Sequence, residues 1–465
     1  MVLPWIGMGA VVLITGRDLG AGFQPAYLLL AVAASLHVIA ALRGPGESSR
    51  RPDPLPRQWW VFLAASFGVV ALSGVGLWLR PGEAPAAVRW LRLGKQSLQL
   101  LLMFGFLLLP LLWLRTARQW ELAGRWLGVG LLFQVVYSAL QTVHFFQPVG
   151  WFARLESWFT SNPSILSGSL ELFLGDSFSG IPRLRGTACE PLYLGNYLLL
   201  VVPFLLLSGS GTRWRRPLIV AGLLLLLATW ARGAYLAAAL AVLAGLILAR
   251  RSGDFRLPAG WWRWLAGGIV ALAGGAVVLW GPHVVLLPFQ RLWQSIDLED
   301  WSNLTRIYSM QAGWRAFLLS PLVGVGWGQF AFHFPVLVDA SGLNSQFSWP
   351  VVNNFPLQIL CETGLVGFLF FMTICFLLGR SVWRAVSPAT VVGEALGRSG
   401  RLRVMVMTVA VIGIWGQLLT FSQYNLPHIW VAPGFLLAAL HGVESDVSAE
   451  RNTTGQTPDE ERFDA

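Results

Sequence analysis

The sequence predicts an all-α integral membrane protein that crosses the bilayer about twelve times. Two observations lead to this prediction: the mean hydropathy of the 465 residues is +0.60, and only 12% of them are charged. A third is the distribution of the basic residues, which fall in short arginine clusters between apolar runs. The net charge of +10 therefore indicates loops on one side of a membrane rather than a surface for nucleic acid.

Apolar runs of the length that a bilayer requires, roughly 17–25 residues, follow one another along the chain. The first run lacks a basic region and a cleavage site, so we interpret it as a retained span and not as a signal peptide. The first and seventh runs are short and could be tilted or re-entrant. The predicted spans lie near 3–16, 25–42, 59–79, 96–114, 126–146, 189–208, 217–230, 233–249, 262–281, 356–379, 403–422 and 427–442.

Arginine clusters follow every even-numbered span from the second to the tenth. The positive-inside rule places these loops and both termini in the cytoplasm. Residues 1–442 then form one transmembrane domain, and we expect the polar segment 443–465 to be a disordered cytoplasmic tail. Two longer loops, about 147–187 and 282–355, face the other side. Because both are rich in Trp, Phe and Leu, we expect them to fold as short helices on the membrane surface.

The arginines outside the positive-inside pattern are candidate ligands for an anion. They are Arg183, Arg185, Arg232, Arg291 and Arg306. A guanidinium group offers a planar fork of donors that suits phosphate oxygens, so several of them in one outer pocket would hold a diphosphate. The alternative is that each contacts lipid headgroups, and we prefer that interpretation for Arg80, Arg89 and Arg92.

Two carboxylates and two histidines are further candidates. Glu190 either serves the first turn of a helix or acts as a pocket acid or base. Glu362 lies inside the tenth span, where it is either functional or paired with an arginine. His333 and His428 fall on the outer side, and a structural role is the simpler interpretation of both. The three cysteines have no metal-ligand spacing, and the chain lacks phosphate-binding glycine motifs, so no metal, nucleotide or other cofactor is predicted.

Four segments in this order resemble the O-antigen ligase/polymerase superfamily of bacterial envelope glycosyltransferases. They are "RLRGTACEPLYLGNYLLLVVP", "TWARGAYLAAAL", "NLTRIYSMQAGWRAFLLSPLVGVGWGQF" and "NNFPLQILCETGLVGF". The resemblance covers about 126–442 and implies a fold related to the GT-C glycosyltransferases. It also implies that Arg183 or Arg185, Arg232 and Arg306 handle a lipid diphosphate.

The same resemblance implies a location in the bacterial inner membrane, with the site facing the periplasm. The partners it implies are an undecaprenyl-diphosphate-linked oligosaccharide donor and acceptor, membrane lipids, a chain-length regulator and a flippase. It implies no metal and no nucleotide.

This sequence departs from the ligase pattern at one position. The pattern requires a histidine before Asn354, whereas this chain has Asn353, although Gly364 and Gly367 stand where the pattern places them. Asparagine cannot take up a proton near neutral pH, but it can orient a sugar hydroxyl. A Wzy-type polysaccharide polymerase therefore fits better than a ligase, with Glu190 as the general base and Glu362 or His333 as weaker candidates.

Two other functions stay open at this point. One is an O-antigen ligase or protein O-oligosaccharyltransferase that uses a different base, since the loops that read the acceptor cannot be interpreted. The other is a transporter of lipid-linked glycans, which would predict internal repeats and charges near the bilayer midplane. Neither feature is evident in this sequence.

Overall fold

The computed structural model describes residues 25–42, 57–79, 84–159, 182–188, 190–207, 214–253, 301–337 and 350–454, with isolated positions between 263 and 293. This described part of the chain is helical, with short turns and irregular segments between the helices. The helices are α1 (Pro25–Leu42), α2 (Arg57–Leu79), α3 (Ala86–Trp113), α4 (Ala117–Phe146), α5 (Gly150–Phe159), α6 (Pro191–Leu207), α7 (Arg215–Ala228), α8 (Arg232–Ser252), α9 (Trp301–Leu319), α10 (Phe330–Leu337), α11 (Phe355–Val386), α12 (Val391–Ala395), α13 (Gly397–Gln417) and α14 (Pro427–Thr454).

Helices occupy ten of the twelve predicted spans. The first span lies outside the described residues, and only isolated positions of the ninth are described. By length and composition, six described helices could cross a membrane: Val61–Leu79 within α2, then α3, α4, α8, α11 and α13. These helices are those of a multi-pass membrane protein, whereas twelve crossings stay a prediction.

Some helix boundaries differ from the predicted ones. The helix α4 begins nine residues before the predicted run at 126, because Thr116 and Gln119 form a capping box that starts the helix in polar sequence. At the other end of the chain, α14 extends to Thr454, beyond the predicted end of the twelfth span at 442, and a separate tail after that span stays a prediction.

The centre of the fold is formed by α6 and α13. The helix α13 packs against α6, α8 and α14, and α14 packs along α3. Small residues let these helices approach closely: a Cβ added at Gly195 on α6 would lie 2.7 Å from the Cβ of Ala234 on α8. Thirteen of the seventeen residues of α6 are buried, so the core fixes the position of this helix.

The helix α11 is broken at Gly364, where φ is 66° and ψ is −167°. The chain that links α9 to α10 pairs with this break through backbone hydrogen bonds. Leu365 N donates to Pro321 O (2.8 Å), and Val325 N donates to Cys361 O (3.0 Å). A Cβ at Gly364 would overlap Leu322 O. The two glycine-containing motifs of the sequence therefore contact each other.

Candidate active site

A turn between α13 and α14, residues 418–425, joins the segments that carry the candidate residues. Leu418 O accepts a hydrogen bond from Phe355 N at the start of α11 (2.9 Å). The ring of Phe421 lies 5.9 Å from that of Tyr193 in the first turn of α6. A Cβ at Gly233, next to Arg232, would overlap the side chain of Thr420. The beginnings of α6, α8 and α11 thus meet at one turn.

Asn353 and Asn354 have different roles at this turn. Asn354 is the N-cap of α11: its Oδ1 accepts from Leu357 N (2.9 Å), and its Nδ2 donates to Leu419 O (3.1 Å). Asn353 has a left-handed backbone with φ of 58°. Its backbone N–H donates to Ser422 Oγ (3.2 Å), and its Nδ2 donates to Ser309 Oγ (3.1 Å). The interactions of Asn354 are those of a helix cap, whereas Asn353 links α11 to α9.

Ser309 connects Asn353 to Arg306. The two α9 residues are three positions apart and so lie on the same face of the helix. Arg306 in turn lies close to Glu190, which also has Arg183 nearby. Burial raises the pKa of Glu190, and the positive charges of Arg183 and Arg306 lower it. The structure therefore brings Arg183, Glu190, Arg306 and Asn353 into one neighbourhood.

Arg232 is the first residue of α8 and is buried, with 8% of its surface exposed. The turn that precedes Arg232 contains Trp230, whose φ of 52° is unusual for a bulky residue. Thr229 Oγ1 accepts from Ala231 N (3.3 Å) and stabilises this turn. Gly233 contacts Thr420, two residues from the Ser422 that Asn353 binds. Arg232 thus lies at the same turn as the other candidates.

Of the two predicted alternatives, Arg183 or Arg185, Arg183 is the one that lies near Glu190, and Arg185 has partners of its own. It is 1% exposed and forms an ion pair with Glu156 on α5 (2.6 Å). Its Nη1 also donates to Ala188 O (2.8 Å). A buried guanidinium needs such partners, and Glu156 supplies the compensating charge.

The Glu362 carboxylate also forms hydrogen bonds within the protein. Its oxygens accept hydrogen bonds from Phe330 N (3.2 Å) and from Gln358 Nε2 (3.2 Å), and the residue is 1% exposed. These contacts attach the glycine-rich segment before α10 to α11. Glu362 thus has a structural role in the fold, and its role as a catalytic base stays a prediction.

His333 lies on α10, where burial together with the nearby Arg89 lowers its pKa, and its predicted role at the site stays a prediction. His428 is buried and is hydrogen-bonded to Asn196 Oδ1 (2.9 Å), which is a structural role. Arg291 lies outside the described residues, so its predicted role in substrate binding stays a prediction.

Several residues at or near the site were missed or misjudged in the sequence. Arg89 was assigned to lipid headgroups, but it is 6% exposed and donates to Leu77 O (3.2 Å). Arg92 Nε lies 3.5 Å from Gly328 O, and Gln96 accepts from Tyr424 Oη (2.7 Å). The spacing of these α3 positions could have shown that they share one helical face. Ser309 has no distinguishing pattern in the sequence.

Comparison with known families bears on this arrangement. Residues 217–372 match the protein family described as O-antigen ligase. No curated protein matches the chain. The matched segment contains Arg232, Arg306 and Asn353, and members of the family transfer glycosyl groups. Over residues 217–372 the chain is therefore similar to the O-antigen ligase family, which supports its resemblance to the O-antigen ligase/polymerase superfamily.

Proposed function

We propose that the protein polymerises lipid-linked oligosaccharide repeats by transfer from one polyprenyl diphosphate carrier to another. The observation that supports this most is the grouping of Glu190 with Arg183 and Arg306. Asn353 is linked to the same helix face through Ser309. Two guanidinium groups thus lie near one carboxylate, which leaves net positive charge for an anionic substrate, and Arg232 starts α8 beside the turn 418–425.

The guanidinium groups would bind the diphosphate of the donor. In the reaction, a hydroxyl oxygen of the acceptor sugar attacks the anomeric carbon of the donor, and a new glycosidic bond forms with inversion. The bond from that carbon to the diphosphate oxygen breaks, and its electron pair leaves with the diphosphate. Preorganised positive charge stabilises the charge that develops there, which is commonly the largest contribution to catalysis.

The acceptor hydroxyl must lose its proton and be oriented. Glu190 would take the proton, since burial raises the pKa of its carboxyl toward the range that suits a general base. Asn353 would orient the hydroxyl. Its Nδ2 is engaged by Ser309, and among the described residues its Oδ1 has no partner, so this oxygen can accept a hydrogen bond from a sugar.

Two observations favour different acceptors. The matched family is described as O-antigen ligase, which favours transfer to a different acceptor such as lipid A–core or a protein. Asn353, however, stands where the ligase pattern has histidine, and we infer from this that the acceptor is a second lipid-linked repeat. The GT-C-like fold, the inner-membrane location and the periplasmic site belong to the same proposal.

The acceptor is tested with purified protein in proteoliposomes. Given lipid-linked repeats alone, the protein should produce a ladder of longer chains that still carry the polyprenyl diphosphate. The control is the Arg306→Ala variant, which should give little ladder. No ladder from repeats alone, followed by transfer once lipid A–core or a protein acceptor is added, would establish the ligase instead.

A further inference from the structure

The short irregular segment 182–188, which precedes Glu190, is held from one side by polar side chains of α4 and α5. Two glutamines of α4, seven residues and thus about two helical turns apart, bind consecutive residues of this segment. Gln141 binds Gly186 in both directions: its Nε2 donates to Gly186 O (2.8 Å), and its Oε1 accepts from Gly186 N (3.0 Å). Gln134 Oε1 accepts from Thr187 N (3.0 Å), and Gln134 Nε2 donates to Thr187 Oγ1 (2.8 Å).

The ion pair of Arg185 and Glu156 extends this network. Gln141 Nε2 also donates to Glu156 Oε1 (2.9 Å), so one glutamine contacts both the segment and the carboxylate that neutralises Arg185. Both glutamines are 0% exposed, and Glu156 is 2% exposed. Gly186 has a φ of 57°, and a Cβ there would overlap Gln134 Oε1. The hydrogen bonds from Gln134 and Gln141 therefore require a left-handed backbone and no side chain at Gly186.

The two ends of the held segment carry charged residues of the candidate site. Arg183 stands three residues before Gly186, and Glu190 stands three residues after Thr187. The N–H of Leu184, beside Arg183, donates to Ala228 O at the end of α7 (3.0 Å), and Tyr193 N donates to Glu190 O (3.1 Å). The segment has no regular secondary structure, so these polar contacts determine where its two charged ends lie.

We infer that Gln134, Gln141 and Glu156 are positioning residues, which act on the transfer reaction through Arg183 and Glu190 without touching substrate. This inference rests on the proposed function for the roles of Arg183 and Glu190. A change in Gln141 should move both ends of the segment together, because this one side chain binds the Gly186 backbone twice and also binds the carboxylate of the ion pair. Glycosyl transfer should then fail through misplaced diphosphate ligands even though the helices remain folded.

The test is a double-mutant cycle between Gln141→Leu and Arg183→Ala. Equilibrium binding of undecaprenyl diphosphate and the rate of chain extension are measured for the four proteins. Gln141→Leu should weaken binding about tenfold with Arg183 present and less than about twofold once Arg183 is absent, because its effect passes through Arg183. A merely structural role would give the same loss in both backgrounds.

A second measurement does not depend on activity. Hydrogen–deuterium exchange of a peptide that contains residues 182–190 should be faster in Gln141→Leu than in the unmodified protein. The matched control is Leu127→Ala, which removes a buried apolar side chain of the same helix and should lower thermal stability without this local change.

The outcomes separate the two proposals. Additive losses, or unchanged exchange at 182–190 in Gln141→Leu, would overturn the positioning inference. Coupled losses of lipid binding in a protein that extends no chains would support the inference and overturn the proposed polymerase. A protein that does not bind undecaprenyl diphosphate at all would overturn both.

Discussion

The left-handed backbone of Asn353 changes how its function must be tested. Alanine at φ of 58° is strained by roughly 1–2 kcal/mol, so Asn353→Ala would mix a backbone effect with loss of the amide. Asn353→Gly removes the amide and keeps the backbone. We expect it to lower kcat/KM roughly fivefold, since a neutral hydrogen bond contributes about 1 kcal/mol.

Asn353→Asp is the matched control, since aspartate tolerates this backbone and keeps an acceptor oxygen. It should melt close to Asn353→Gly, while Asn353→Ala should show the lowest melting temperature of the three. Full activity of Asn353→Gly in a steady-state transfer assay would remove Asn353 from the site.

Arg183 and Arg185 should give opposite phenotypes although they are two residues apart. Arg183→Ala should lose transfer activity about tenfold to a hundredfold, because a charged hydrogen bond contributes roughly 1.5–3 kcal/mol. Its melting temperature should change little. Arg185→Ala leaves Glu156 buried without its counter-charge, which typically costs about 3–5 kcal/mol of stability. Thermal unfolding in detergent and transfer rates decide this; equal effects of the two variants on both measurements would refute the assignment.

The acid limb of the pH–activity profile should report Glu190. A general base works deprotonated, so activity falls as pH drops through the pKa of this carboxyl. Arg306 lowers that pKa, so Arg306→Gln should raise it and move the acid limb to higher pH. Asn353→Gly removes no charge and should leave the limb in place. The kcat/KM profile of each variant checks this, and an unmoved limb in Arg306→Gln would assign the base elsewhere.

At the scale of elements, the break in α11 joins this helix to the glycine-rich segment before α10. The φ and ψ of Gly364 are accessible to glycine almost alone, and a side chain there would meet Leu322. Gly364→Ala should therefore lower the melting temperature strongly and displace the 321–326 segment.

Gly379→Ala on the same helix is the control. A Cβ at Gly379 meets nothing within 4 Å, so this variant should be neutral or slightly stabilising, since alanine favours helix by about 1 kcal/mol over glycine. Similar melting temperatures for the two variants in detergent would show that the break in α11 tolerates a side chain.

At the scale of the whole molecule, hydropathy located the helices well, since ten predicted spans coincide with described helices. Sequence order also located Arg232, Arg306 and Asn353, because each belongs to a recognisable motif. The sequence could not show which of Arg183 and Arg185 belongs to the site. The partner of Arg185 is Glu156, which lies in a loop that was expected to lie on the membrane surface. Nor could the sequence assign Glu362, whose hydrogen bonds depend on the contact between α11 and the segment before α10.

The predicted orientation places all segments of the candidate site on one side of the membrane. This orientation can be tested directly. The segments that the arginine pattern places outside, including those of Glu190, Arg232, Arg306 and Asn353, converge at the turn 418–425. Single cysteines at Gln147 and Gln311, both exposed, should react with a membrane-impermeant maleimide added from the periplasmic side. The background protein must lack Cys189, Cys361 and Cys375.

Exposed positions that are predicted to be cytoplasmic provide the comparison. Cysteines at Arg118 and Ser399 should be protected until the membrane is permeabilised, because both lie in the arginine-rich first turns of α4 and α13. The reverse pattern would place the three site arginines in the cytoplasm, where a lipid-linked repeat presented to the periplasm could not reach them. A mixed pattern, with Gln147 labelled and Gln311 protected, would instead mean that the chain between them crosses the membrane an odd number of times. That result would separate Glu190 from Arg306 across the bilayer and so contradict their proximity in the structure.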